Sequence, residues 1–249
     1  MKLSSEDQTL FAEKGILCFK GLVPRNKTSP AKEAILNELT RLRLRENGKW
    51  HTKQFDHVAP FNVTGQISQR LRHQAAFDEV IPDDLVHFVH ELAGFKLGPQ
   101  PHPQILVTPP QKFEWDVPYL GWHLDVNSPS RDVLPGIQIF VLLDDIPPRG
   151  GATLAIAGSH RLHSAKGSSP VSAHQALRED PVCSALFLST ESNRARFFTP
   201  QSVNGVPVQI VEMCGKAGDV YVMDMRILHA PSINASKSAR MMLTQRYLK

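Results

Sequence analysis

The segment Gly121-Trp122-His123-Leu124-Asp125 sets an imidazole and a carboxylate two residues apart. On an extended strand, residues i and i+2 project to one face, so His123 and Asp125 would present a ring nitrogen and a carboxylate oxygen side by side. A third imidazole from a distant strand would complete a facial triad of two histidines and one carboxylate. That donor set suits Fe(II) and leaves three coordination positions open for a co-substrate and dioxygen. His229 is the candidate, because it follows the apolar run Val220-Tyr221-Val222-Met223 and begins the loop His229-Ala230-Pro231-Ser232. Taken alone, an H-x-D triplet reads equally as a turn histidine beside an ordinary aspartate. Arg240, eleven residues beyond His229 on the next expected strand, adds a guanidinium that could reach into the fold and pair bidentately with a ligand carboxylate. Asn234 and Ser236 lie between the two, and Gly150 to Arg161 reads as a strand ending in a Gly-Ser-His turn.

The elements that would hold these residues fall into two textures. Up to about residue 98 the chain reads as helical. Ser5 to Gln8 has the S-x-x-Q form of a capping box, with a short strand over Ile16 to Phe19 behind it. Pro30 opens a second helix carrying Ile35, Leu36, Leu39, Leu42 and Leu44, and a third runs from Asp83 or Asp84 to Leu92, stopped by Gly94. After Gly98, prolines and glycines punctuate short alternating or β-branched runs: Gln104–Val107, Ile137–Leu143, Thr153–Ala157, Val206–Glu212, Asp219–Met223 and Met241–Tyr247. That pattern is the mark of an antiparallel sandwich or barrel, interrupted by a helical insertion over Ser172 to Leu188. The outline is therefore mainly β with flanking α, a helical layer (1–98) on a β core (99–249), in one domain.

Composition removes several classes. With 41% hydrophobic and 21% charged residues among 249, the chain is an ordinary globular one. Its longest apolar stretch, Ile137 to Leu143, is far short of the ~20 residues of a spanning helix. The N-terminus lacks the apolar region of a secretory signal, which places the protein in the cytoplasm. Cys18, Cys183 and Cys214 show no paired spacing and read as reduced thiols. The net charge of +4 is too dispersed for nucleic acid and favours an anionic small molecule as partner. His160 and His163 fall in the Gly-Ser-His turn and read as structural, and His87 and His90 as part of a solvated helix face.

The order H-x-D, then G-x-x-L-x-x-x-x-G-S-H-R, then H-x-x-x-x-N and an arginine eleven beyond the last histidine resembles the phytanoyl-CoA dioxygenase family of Fe(II)- and 2-oxoglutarate-dependent oxygenases. The resemblance is strong over Gly121 to Arg246 and looser before it.

The resemblance implies a double-stranded β-helix, the cupin-like jelly-roll, with iron held by His123, Asp125 and His229. It implies 2-oxoglutarate anchored through its distal carboxylate by Arg240, with Phe140 lining the co-substrate pocket and Gln138 on the same strand face. Where many relatives have a serine two residues after the distal histidine, this chain has Pro231, and Ser232 or Thr244 could substitute. The implied reaction uses O2, releases succinate and CO2 and hydroxylates an unactivated C–H bond. Retention of Asp125 disfavours halogenation, while desaturation or cyclisation would use the same ligands, and a silent ligand-binding jelly-roll is the rival reading. Trp115, Trp122, Gln104 and Arg131 are candidates for the mouth of the site, and Ser164–Pro170 and Phe198–Val206 for its lids.

Overall fold

A computed structural model of the chain describes residues 3–51, 60–111, 114–127, 130–164 and 172–249. In chain order, α1 (Ser5–Lys14) leads into β1 (Ile16–Phe19), α2 (Arg25–Arg41) and a small hairpin of β2 (Arg45–Glu46) and β3 (Lys49–Trp50). Then come α3 (Pro60–Leu71), α4 (Ala75–Asp78), α5 (Asp83–Ala93), β4 (Gly98–Pro99), β5 (Gln104–Thr108), β6 (Gly136–Leu142) and β7 (Thr153–Ala157). After α6 (Ala173–Glu179) and two 3-10 turns, the chain closes with β8 (Gln201–Val203), β9 (Val206–Glu212), β10 (Val220–Asp224), β11 (His229–Pro231) and β12 (Arg240–Leu248).

The strands form two antiparallel sheets of a jelly-roll. One runs β1-β10-β6-β12, with β5 and β4 both on the far side of β12, and the other runs β11-β7-β9-β8. Period-two alternation along β6 decides what lies on each side of the larger sheet. Ile137, Ile139 and Val141 face a cluster shared with the helices, through Phe11, Ile35, Leu39, Phe77 and Phe88. Phe140 and Leu142 point the other way, into the barrel with Ala155, Met223 and Met242. A third cluster packs α6 and the 3-10 turns on the outside of the smaller sheet, against Leu154, Ile156 and Ile210. β6 is buried along its whole length, so both of its faces are apolar apart from Gln138.

Several expected details move. The capping box belongs to Ser4 and Asp7, not Ser5 and Gln8: Ser4 Oγ accepts from Asp7 N, and Asp7 Oδ2 accepts from Ser4 N, each at 3.0 Å. Pro30 lies inside α2 rather than opening it, since the helix already begins after Pro24. Losing one N–H near the amino end leaves the rest of the ladder intact. α5 ends at Gly94 in the left-handed conformation, as expected of a C-terminal glycine. The expected lid Phe198–Val206 is largely the β8–β9 hairpin, and most of Ser164–Pro170 lies outside the described residues.

Candidate metal centre

His123 does not sit on a regular strand. It makes a single antiparallel bridge to His229, and Asp125 follows in a bend. His229, expected to start a loop, instead opens β11 and pairs with Ala155 of β7. The outcome is still one cluster: a ligand atom from each of His123, Asp125 and His229 lies within 4.8 Å of the other two.

The segment that delivers His229 is braced from the Gly-Ser-His turn. Gly158 turns the chain at φ 84, and Ser159 Oγ accepts from Leu228 N at 3.0 Å. His163 bonds the Arg226 carbonyl through Nε2 at 3.0 Å and receives the Ala173 N–H on Nδ1 at 3.2 Å. His160 reaches the Ala12 carbonyl through Nε2 at 3.0 Å. Both histidines are thus tied to main chain, the structural role the sequence suggested.

Each histidine of the cluster points Nε2 at the carboxylate and Nδ1 at a main-chain carbonyl: His123 at Gly121 (2.8 Å) and His229 at Ile227 (3.1 Å). An Nδ1–H donated to a carbonyl leaves the Nε2 lone pair for a metal, the usual way such ligands are oriented. Burial lowers the His123 pKa, and the neighbouring charge of His229 adds to that, so the ring favours its neutral, ligating form. Burial pushes the Asp125 carboxyl upward, but the hydrogen bond and charge of His229 and the charges of Arg246 and His123 outweigh it. The carboxyl is held well below the usual carboxylate range.

The cluster lines a cavity of about 170 Å³ inside the barrel, together with Phe140, Gln138, Thr244, Arg240 and Arg246. Arg240 enters from the start of β12. Its Nε donates to the Gly151 carbonyl (2.9 Å) and its Nη2 to Thr108 Oγ1 (2.6 Å), while the buried Nη1 has no partner among the described residues. With no carboxylate beside it, burial brings its pKa down to about 10. Gln138 donates to Thr244 Oγ1 (3.0 Å), and its buried Oε1 is likewise unpartnered.

A buried guanidinium edge without an acceptor, in the same cavity as a ready-made triad, fits an iron centre with a dicarboxylate co-substrate. Asn234 explains its place in the motif: fully buried, it donates to the carbonyls of Thr108 and Ser238, both at 2.8 Å, and so ties the loop before Arg240 to β5.

Other expected residues fall elsewhere. The Ser232 hydroxyl donates to the Ala152 carbonyl at 2.7 Å and does not line the cavity; Thr244 does. Of the mouth candidates, Gln104 alone lines the cavity among the described residues. Trp122 is buried with Nε1 on the Pro118 carbonyl, Trp115 packs under Arg149, and Arg131 borders a separate hollow beside His160. Arg246, absent from the sequence-based set, contacts Asp125 directly. The signal was its parity: 240, 244 and 246 share one face of β12.

The fold is similar to that of several solved structures. The non-heme alpha ketoglutarate dependent carbocyclase SnoK from nogalamycin biosynthesis matches with a TM-score of 0.59 and 18% identity, over 100% of this chain and 85% of that one. EctD from S. alaskensis, solved with 2-oxoglutarate and 5-hydroxyectoine, matches at 0.57 and 17%, over 99% and 76%. The epimerase SnoN, solved with Fe3+, alpha ketoglutarate and nogalamycin RO, matches at 0.54 and 15%, over 97% and 82%. Comparison of the sequence with proteins of curated function gives no match. The family model for phytanoyl-CoA dioxygenase (PhyH) spans residues 11–242, from α1 to within β12. With the His-Asp-His cluster, the buried arginine and every strand but most of β12 inside that span, the chain belongs to the phytanoyl-CoA dioxygenase family and is an oxygenase that works with iron and 2-oxoglutarate.

Proposed function

We propose that the protein hydroxylates an unactivated C–H bond of a small, anionic metabolite in the cytoplasm, as one catalytic domain, with release of succinate and CO2. The observation that carries this reading is the convergence of His123, Asp125 and His229 with the unpartnered edge of Arg240 on one cavity. His123, Asp125 and His229 would hold iron, and Arg240 would take the distal carboxylate of 2-oxoglutarate, with Phe140 and Gln138 beside it. Thr244, unlike Ser232, lines the cavity; its hydroxyl donates to the Ile139 carbonyl and accepts from Gln138, so it anchors the Gln138 amide there. When bound, iron with 2-oxoglutarate and dioxygen supplies the oxidising power for the C–H bond.

The chain's own residues orient and exclude. Nδ1 bonds to carbonyls orient both imidazoles with Nε2 towards the carboxylate, and Phe140 and Leu106 give the cavity an apolar wall. The net charge of +4 supports an anionic substrate. The helical layer and the larger sheet share one apolar cluster, which supports a single folding unit. Among the described residues no helix is long and apolar enough to cross a membrane.

The test is turnover of 2-oxoglutarate to succinate with Fe(II) across a panel of carboxylate- and phosphate-bearing small molecules, with mass analysis of the co-product. A gain of one oxygen atom, together with loss of turnover in Asp125→Ala, is the expected result. Because SnoK is a carbocyclase and SnoN an epimerase, the mass change matters: a product two hydrogens lighter, or an isomer, would overturn hydroxylation while keeping the oxygenase class.

A further inference from the structure

Arg246 stands out among the cavity residues that the co-substrate reading leaves without a role. It lies on the inward face of β12, opposite Gln138 in register, and turns its guanidinium onto Asp125. Both contacts go to the same oxygen: Nη2 is 2.8 Å and Nε 3.2 Å from Oδ2. Oδ1 receives no hydrogen bond among the described residues, and His123 Nε2 stands 3.8 Å from it. Oδ2, which also has His229 Nε2 at 3.5 Å, is therefore held twice by Arg246, while Oδ1 on the His123 side is free of the guanidinium.

We infer that Arg246 is a positioning residue, holding Asp125 by Oδ2 so that Oδ1 alone is presented to the metal. The inference rests on the reading of His123, Asp125 and His229 as metal ligands. Its purpose follows from counting positions. A six-coordinate ion with three protein ligand atoms keeps three positions open, and a carboxylate free to swing could chelate through both oxygens and close one of them. A second, fixed partner on the non-ligating oxygen prevents that, as partners of metal ligands commonly do.

Two effects of Arg246 on a cation have opposite sign, which makes the inference testable. By charge alone the guanidinium repels the metal, so its removal would tighten binding. By positioning, its removal frees the carboxylate and weakens binding. The experiment is anaerobic titration of the full-length protein with Co(II), read by its d–d absorption, which reports affinity and coordination number. Arg246→Met is expected to raise the Co(II) dissociation constant about 10–100-fold and to change the band intensity as coordination changes. Arg246→Lys should recover part of the loss, since an ammonium can still donate to Oδ2 but cannot make two parallel bonds. In an Asp125→Ala background, Arg246→Met should have no further weakening effect, because the residue it acts through is gone.

Thermal melting of the metal-free variants checks folding, and Arg246→Gln replaces the Met variant if that one does not fold. Binding by Arg246→Met as tight as in the wild type, or tighter, would overturn the inference, and so would an equal loss in the Asp125→Ala background. Failure of the wild type to bind Co(II) would instead remove the metal-centre reading itself.

Discussion

His123 and His229 are joined main chain to main chain: His123 N donates to the His229 carbonyl at 2.9 Å, and His229 N to the His123 carbonyl at 3.1 Å. Their rings lie with centroids 4.3 Å apart. Two imidazoles from distant parts of the sequence, the ones proposed to hold iron, are thereby fixed as a pair by backbone alone, although one sits outside any regular strand. Secondary structure around them then needs only to hold the pair in place, and the following predictions probe how it does so.

Ser159 holds the strand segment of His229 through the Leu228 N–H and is fully buried. Ser159→Ala leaves that N–H without an acceptor, which costs about 1–3 kcal/mol of stability. Denaturant unfolding should show this loss with an unchanged slope, and Co(II) affinity should fall with it. A variant as stable as the wild type would mean that Leu228 finds another acceptor.

Gly151 has φ +78, and a Cβ built there would lie 2.7 Å from Asn234 Cβ. Its carbonyl also accepts from Arg240 Nε. Gly151→Ala therefore meets a left-handed backbone and a filled space together, and is expected to lose at least about 1–2 kcal/mol from the backbone alone. Since Asn234 and Arg240 both shift, half-saturation for 2-oxoglutarate should rise too. Unchanged co-substrate affinity would separate the glycine from the arginine's placement.

Arg240 is a buried cation with no carboxylate partner among the described residues, so removing it removes an uncompensated desolvation cost. Arg240→Met is expected to melt at the same temperature as the wild type or higher when ligand-free. The 2-oxoglutarate concentration needed for half-saturation should rise about 10–100-fold, the range for a lost charge-assisted bond. At equal concentration, stabilisation by added 2-oxoglutarate should be smaller in the variant than in the wild type. A full thermal shift in Arg240→Met would place the co-substrate elsewhere.

Burial lowers the pKa of His163 and of His160 in the folded chain relative to 6.5. His163 must be neutral to accept from Ala173 N, and His160 Nδ1 has no acceptor for an added proton. As pH falls through about 6.5 the unfolded chain takes up protons that the folded chain refuses, so stability is present above that pH and declines below it. The melting temperature should be lower at pH 5.5 than at 7.5, with a smaller difference in His163→Gln. A flat profile across this window would contradict the burial argument.

Most strands were legible because their residue types and their punctuation agree: Thr153–Ala157 and Val206–Glu212 form as read. α3 was not, since the sequence Phe61-Asn62-Val63-Thr64-Gly65 within it is poor in helix formers and its order comes from tertiary packing, Ser68 Oγ accepting from Ile105 N at 3.0 Å. Spacing nominated His123, Asp125 and His229. What spacing could not show is which neutral neighbour turns inward: Ser232 and Thr244 read alike, and β12's register with β6 places Thr244 on the cavity. Arg246 was missed for a related reason: a charged residue near a strand's end reads as solvent-facing until parity with Arg240 is applied.

The most direct test adds Fe(II) and then 2-oxoglutarate to the protein without oxygen and follows the visible metal-to-ligand charge-transfer band. A band that forms in the wild type, is absent in His229→Ala and needs more 2-oxoglutarate in Arg240→Ala is the expected result. A wild type that binds iron yet gives no band at saturating 2-oxoglutarate, or a His229→Ala variant that gives the full band, would contradict the assignment of this cavity.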